Sequence, residues 1–155
     1  MKDKFKKAYM QTAKIFAELS HAKRLHVGAI IVKEDRIISI GYNGMPSGCD
    51  NVCEYEEEIL VSDIENGNRL EKAGQLKTKS EVLHAETNAI AKLARSTESG
   101  DGATMFITHS PCIECAKLIY QSGIKTVYYD EDYRDSTGIE FLLKSNITVE
   151  KTNGK

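Results

Sequence analysis

A chain of 155 residues with a net charge of −2 is long enough to bury one core and too short for two domains. Its near-balance of charge excludes a protein built chiefly to hold polyanions, which carries a clustered basic excess. The lysine-rich start, Met1 to Lys7, leads into no apolar h-region, and no run reaches membrane-spanning length; neither a signal peptide nor a membrane span is expected, and the four cysteines should stay reduced and open to metal.

Phe5, Tyr9, Thr12, Ile15, Phe16 and Leu19 fall at helical spacing and predict an amphipathic first helix of about four turns covering one face of a sheet. Val27 to Val32 and Ile37 to Tyr42 are β-rich runs split by Lys33, Glu34, Asp35 and Arg36, a hairpin pattern. Lys23, Arg24 and His26 precede the first strand, as a solvated loop or as a phosphate contact. Asn43 and Gly44 after the second strand would by themselves signal a tight turn. From Ser47 to Ser80 the periodicity dissolves: Glu54 to Glu58 is acidic, Asn66 to Asn68 reads as a turn, and Lys72 to Lys79 is polar. An excursion with one or two short helices is expected there, and a connection of this length is usually functional.

His84 to Arg95 reads as a helix packed through Ala85, Ala89, Ile90, Leu93 and Ala94, followed by a strand from Ala103 to Thr108. Pro111 to Ser122 reads as a second helix stopped by Gly123, and Lys125 to Tyr129 as the next strand. A loop, Asp130 to Asp135, carries Tyr133 and Arg134. Residues 137 to 145 present Ile139, Leu142 and Leu143 on one face of a last helix, and Ile147 to Lys151 forms a last strand. A helix between the last two strands requires a crossover, which makes them parallel.

Two stretches carry the chemistry: His84, Ala85, Glu86, and then Pro111, Cys112, Ile113, Glu114, Cys115. One imidazole and two thiolates at C-x-x-C spacing suit a tetrahedral zinc with its fourth position free. Residues two apart lie on opposite faces of a regular helix, so His84 and Glu86 face one metal only end-on, from a helix starting at or just before His84. A second helix starting at Pro111 would converge on the same point, its positive end favouring the thiolates. A closed site completed by Cys49 or Cys53, or a redox pair at Cys112 and Cys115, would leave Glu86 without a task. His109, beside the Pro-Cys pair, is read as a strand-end residue and not a ligand.

This H-x-E and P-C-x-x-C combination resembles the signature of zinc-dependent nucleobase deaminases. With Gly41, Tyr42, Asn43, Gly44, Met45, Pro46, the run His84 to Ile90 and the run Pro111 to Lys125, it resembles the deoxycytidylate (dCMP) deaminases in particular, over most of residues 25 to 135. The resemblance implies one domain over 1–155 with a three-layer α/β/α fold, a mixed five-stranded sheet and a variable insertion at 47–80. It implies hydrolysis of dCMP to dUMP and ammonia by a zinc-activated hydroxide, supplying dUMP for thymidylate synthesis in the cytoplasm. His84, Cys112 and Cys115 would be the zinc ligands and Glu86 the proton shuttle. Asn43, the amide of Ala85, Tyr133 and Arg134 would bind the nucleotide, with Arg24 and His26 as further phosphate contacts. It also implies a homohexamer regulated by dCTP and dTTP, Mg2+ accompanying the triphosphate, with Lys92 and Arg95 facing a neighbour or effector. A second, structural zinc is not expected, since only Cys49 and Cys53, with His21 near, are on hand. The alternatives are a deaminase of dCTP, transfer RNA or single-stranded DNA, and a non-catalytic zinc module; a polynucleotide substrate would call for a basic groove interleaved with aromatics.

Overall fold

A computed structural model of the chain describes residues 1–63 and 69–152. Its elements run α1 (Asp3–Ala17), β1 (Gly28–Lys33), β2 (Arg36–Tyr42), β3 (Glu54–Asp63), β4 (Arg69–Thr78), α2 (Ala85–Ala94), β5 (Thr104–His109), α3 (Ile113–Gln121), β6 (Thr126–Glu131), α4 (Thr137–Lys144) and β7 (Thr148–Lys151). Five strands form one mixed sheet in the order β2-β1-β5-β6-β7. β1 is antiparallel to β2 and β5, while β5, β6 and β7 run parallel. The last two strands are parallel because α4 carries the chain back across the sheet. At the β1–β2 turn Glu34 and Asp35 both take positive φ, the backbone twist that suits a two-residue hairpin.

Both faces of the sheet are covered, and the central strands are accordingly apolar on both sides. Ile30, Val32, Phe106 and Tyr128 meet Met10 and Ala13 of α1. Ala29, Ile31, Met105, Ile107 and Val127 pack with Ala85 and Ala89 of α2, Ala116 and Ile119 of α3 and Leu142 of α4. The face that α1 buries overlaps the expected stripe only in part: Tyr9 and Phe16 pack against the first of these clusters. Met10, Ala13 and Ala17 are buried, whereas Phe5, Ile15 and Leu19 are 40%, 53% and 51% exposed. Small residues win because the helix lies almost on the backbone of β1: a Cβ at Gly28 would sit 2.0 Å from the Ala13 carbonyl oxygen.

The same device seats the other helices. A Cβ at Gly41 of β2 would lie 2.1 Å from the Ala85 carbonyl oxygen, and one at Gly138 of α4 would lie 2.0 Å from that of Pro111. Each contact fixes a helix at backbone distance within a residue or two of the stretches singled out above.

Among its described residues the excursion forms strands and not the short helices expected. β3 and β4 pair antiparallel as a separate two-stranded ribbon, with Glu54 opposite Thr78 at its base and Lys79 N–H donating to the Cys53 carbonyl at 2.9 Å. A ribbon outside the main core is not obliged to alternate apolar and polar residues, so its sequence carries no period-2 signal. The turn expected at Asn66 to Asn68 lies outside the described residues. Among the described residues no helix is long and apolar enough to cross a membrane.

Candidate active site

α2 follows the β3–β4 ribbon and α3 follows β5, the central strand of the sheet, and their N-caps are His84 and Cys112. Pro111 therefore precedes the helix instead of opening it, since Cys112 is still extended and its carbonyl accepts the N–H of Ala116 at 2.9 Å. Cap side chains normally accept from the first turn; neither of these does. They turn toward each other. His84 Nδ1 lies 3.3 Å from Cys115 Sγ and 3.6 Å from Cys112 Sγ, and the three donor atoms fall within 4.8 Å of one another. A tetrahedral zinc with ordinary Zn–S and Zn–N bonds has S···N edges of about 3.6 Å. The donor set fits that ion in number, type and spacing.

The electrostatics of the metal-free group suit the same ion. Hydrogen bonds from Cys115 and from His84 hold the Cys112 thiol down at about 3, while Cys115, donating to Cys112 and buried, has its own thiol pushed up. The pair thus shares one negative charge and has a second proton to give up to a dication. His84 is raised chiefly by its bond to Cys112. Glu86, 4% exposed, is pushed up to about 7, burial outweighing its own backbone N–H and the nearby His84.

The position of His84 is set from behind. Leu83 and Gly44 exchange backbone bonds of 2.9 and 3.1 Å, and Asn88 Nδ2 donates to the Tyr42 carbonyl at 2.8 Å. Asn43 and Gly44 thereby form a bridge to the α2 approach and not a tight turn. Asn43 Oδ1 accepts the Val27 N–H and Nδ2 donates to the Leu25 carbonyl, both at 2.8 Å. One amide hydrogen and one lone pair remain for a ligand.

A cavity of about 290 Å³ opens over these groups, lined by Asn43, His84, Ala85, Glu86 and Cys112 at its depth and by Arg24, Tyr133 and Arg134. His26 is not among its lining residues; its Nε2 is 2.7 Å from the Ala22 carbonyl, which turns the ring back onto its own loop. Lys92 and Arg95 are exposed near the far end of α2, Lys92 Nζ lying 5.4 Å from the centre of the Tyr42 ring. His109 ends β5 on the cavity wall, paired with Glu131 at 3.3 Å. Cys49 is exposed and Cys53 buried. Among the described residues, His84, Cys112 and Cys115 are the group that gathers three potential metal ligands.

Three polar lining residues, Ser110, Glu54 and Thr78, escaped the sequence reading. Ser110, buried, accepts the Tyr133 N–H at 2.7 Å and donates its own N–H to the Glu131 carbonyl at 2.8 Å, tying the Tyr133–Arg134 loop to the residue before Pro111. Glu54 is 6% exposed, and its Oε1 accepts the backbone N–H of Lys23 at 2.8 Å and of Arg24 at 3.3 Å. Thr78 Oγ1 accepts from the Arg24 guanidinium at 3.1 Å. Ser110 carried a weak signal by adjoining the Pro-Cys pair. Glu54 and Thr78 carried none, because only the ribbon's register brings them to the cavity.

Residues 3–131 match the family described as the cytidine and deoxycytidylate deaminase zinc-binding region. The deoxycytidylate deaminase of enterobacteria phage T4 is 37% identical, over 88% of this chain and 83% of its own length. That of Mus musculus is also 37% identical, over 95% and 79%. The crystal structure of dCMP deaminase from the cyanophage S-TIM5 in complex with dCMP and dUMP superimposes with a TM-score of 0.82 at 45% identity, over 97% of this chain and 98% of that one.

Proposed function

The chain belongs to the cytidine and deoxycytidylate deaminase family, and from that premise we infer that it is a zinc-dependent dCMP deaminase, converting dCMP to dUMP and ammonia. One observation carries the reading: His84 and Cys112 of a His-Cys-Cys donor set, with the buried Glu86 carboxylate, line the same cavity as two arginines, Arg24 and Arg134. A monophosphate ester of a small base needs a hydrolytic end and an anion-binding end, and the cavity has both.

His84, Cys112 and Cys115 hold the metal. Zinc bound there supplies the Lewis acidity that brings the pKa of water near 7. Glu86 takes a proton from the attacking water and delivers it to the ring nitrogen next to C4, then takes the second proton from the hydroxyl now on C4 and passes it to the departing amine. The water oxygen remains on C4 as the carbonyl of dUMP, the C4–N4 bond breaks, and ammonia leaves with Glu86 back in its starting form. The Glu86 carboxyl, buried beside the ligand residues, serves both directions of that transfer. The amide of Ala85 and the free hydrogen and lone pair of Asn43 orient base and sugar. Tyr133 packs against the nucleoside, and Arg134 with Arg24 takes the phosphate.

A homohexamer, control by dCTP and dTTP with Mg2+ on the triphosphate, and a cytoplasmic setting extend the reading. What supports them is the family resemblance, with the exposed Lys92 and Arg95 as the basic residues an effector would meet. Zinc-loaded protein incubated with dCMP, dCTP, deoxycytidine and adenosine-containing RNA should release ammonia fastest from dCMP. Faster release from RNA, or from none of the four, would contradict the assignment.

A further inference from the structure

Arg24 is the residue whose surroundings the proposed mechanism leaves unexplained. It sits in a loop, exposed, with its guanidinium at the cavity, and a free arginine there would sample many rotamers and lose much of its worth as an anion ligand. The structure holds it at both ends. Glu54 accepts the N–H of Lys23 and of Arg24, which fixes the backbone, and Thr78 accepts from the guanidinium. Glu54 and Thr78 are cross-strand partners at the base of the β3–β4 ribbon, so their side chains leave the same face of it. The division of labour matters. Glu54 spends its charge on backbone N–H groups, and among the described residues no carboxylate makes an ion pair with Arg24. The guanidinium is therefore oriented by a neutral hydroxyl and keeps its charge for a ligand.

We propose that Glu54 and Thr78 are positioning residues for Arg24, and that through them the β3–β4 ribbon contributes, beside Arg134, to discriminating a 5′-phosphorylated nucleoside from the free nucleoside. This rests on the dCMP reading and adds to it a residue pair that touches the phosphate only through Arg24.

The test is the ratio of kcat/KM on dCMP to kcat/KM on deoxycytidine, for wild type, Thr78→Val, Glu54→Ala, Glu54→Gln, Arg24→Ala and the double variant Thr78→Val/Arg24→Ala. Thr78 is exposed, so its variant remains informative if removing the buried Glu54 carboxylate impairs folding. Thr78→Val and Glu54→Ala should each lower the ratio about tenfold through KM for dCMP, the value of one hydrogen bond to a charged group. Glu54→Gln, which keeps an acceptor for the two N–H groups, should restore most of it. In the Arg24→Ala background, Thr78→Val should change the ratio no further, since a residue acting through Arg24 has nothing left to act on. Equal losses on both substrates, or a full additional loss in the double variant, would overturn the proposal. If wild type deaminates dCMP but the ratio does not move in the variants, this inference alone fails; if wild type deaminates neither substrate, the dCMP reading fails and takes this one with it.

Discussion

Lys151 Nζ holds the Asp132 carboxylate at 2.5 Å across the β6–β7 edge, and so withholds it from Arg134 two residues along the loop. Asp135 is occupied as well: its two carboxylate oxygens accept the N–H and hydroxyl of Thr137 at 2.9 and 2.8 Å, at the start of α4. The two acids flanking Arg134 make their hydrogen bonds elsewhere, Asp135 feeling the Arg134 charge only through space, and the guanidinium lies 5.4 Å from the centre of the Tyr133 ring.

Arg134→Ala should therefore remove an interaction with substrate and not an internal ion pair. The expected cost on dCMP is ~1.5–3 kcal/mol in kcat/KM, or roughly 10- to 100-fold, carried by KM. Deoxycytidine, with no phosphate to lose, should fall by less than about threefold. Steady-state kinetics on the two substrates decide this, and a variant that treats dCMP like wild type would move the phosphate to Arg24 alone.

The geometry of α2 gives a stability prediction. Gly41→Ala places a methyl group 2.1 Å from the Ala85 carbonyl oxygen and 2.5 Å from the Ala89 nitrogen, where backbone and not a flexible side chain must move. Overpacking of this kind costs about 1–3 kcal/mol, and because the displaced helix begins just after His84 it should weaken zinc binding too. Urea titration with and without zinc measures both. Unchanged stability would mean that α2 is not seated by this contact.

Much of this architecture is legible in the sequence, for reasons that differ by element. The α2 and α3 runs are apolar at helical spacing and start at ligand residues, so pattern and chemistry point to the same boundary within a residue or two. α1 is legible as a helix and in part in its orientation: Tyr9 and Phe16 do pack on the core, but bulky Ile15 and Leu19 stay exposed while Ala13 and Ala17 are buried because Gly28 admits them. The β3–β4 ribbon is illegible because its strands escape the alternation that a shared core imposes. Glu54 is one glutamate in an acidic run until the pairing register sets it opposite Thr78 and under Arg24.

Metal removal should act on stability as well as on activity. A ligand present at about 100 times its Kd stabilises the folded chain by ~2.7 kcal/mol, so a chelator should lower the melting temperature and added zinc should restore it. Cys112→Ser should lose that zinc response together with the metal, read by mass spectrometry. A Cys112→Ser protein that keeps full zinc occupancy would remove Cys112 from the ligand set.

On the proposed mechanism Glu86 moves the protons of dCMP hydrolysis beside a zinc that it does not hold. Ammonia release from dCMP by zinc-loaded wild type and Glu86→Gln, with zinc content measured on the same samples, tests it directly. Gln fills the same space and cannot shuttle a proton, so full zinc occupancy and a loss in turnover of ~10² to 10⁴ are expected, the usual contribution of a general acid-base group. Near-normal turnover in the zinc-replete variant, or loss of zinc along with activity, would contradict it.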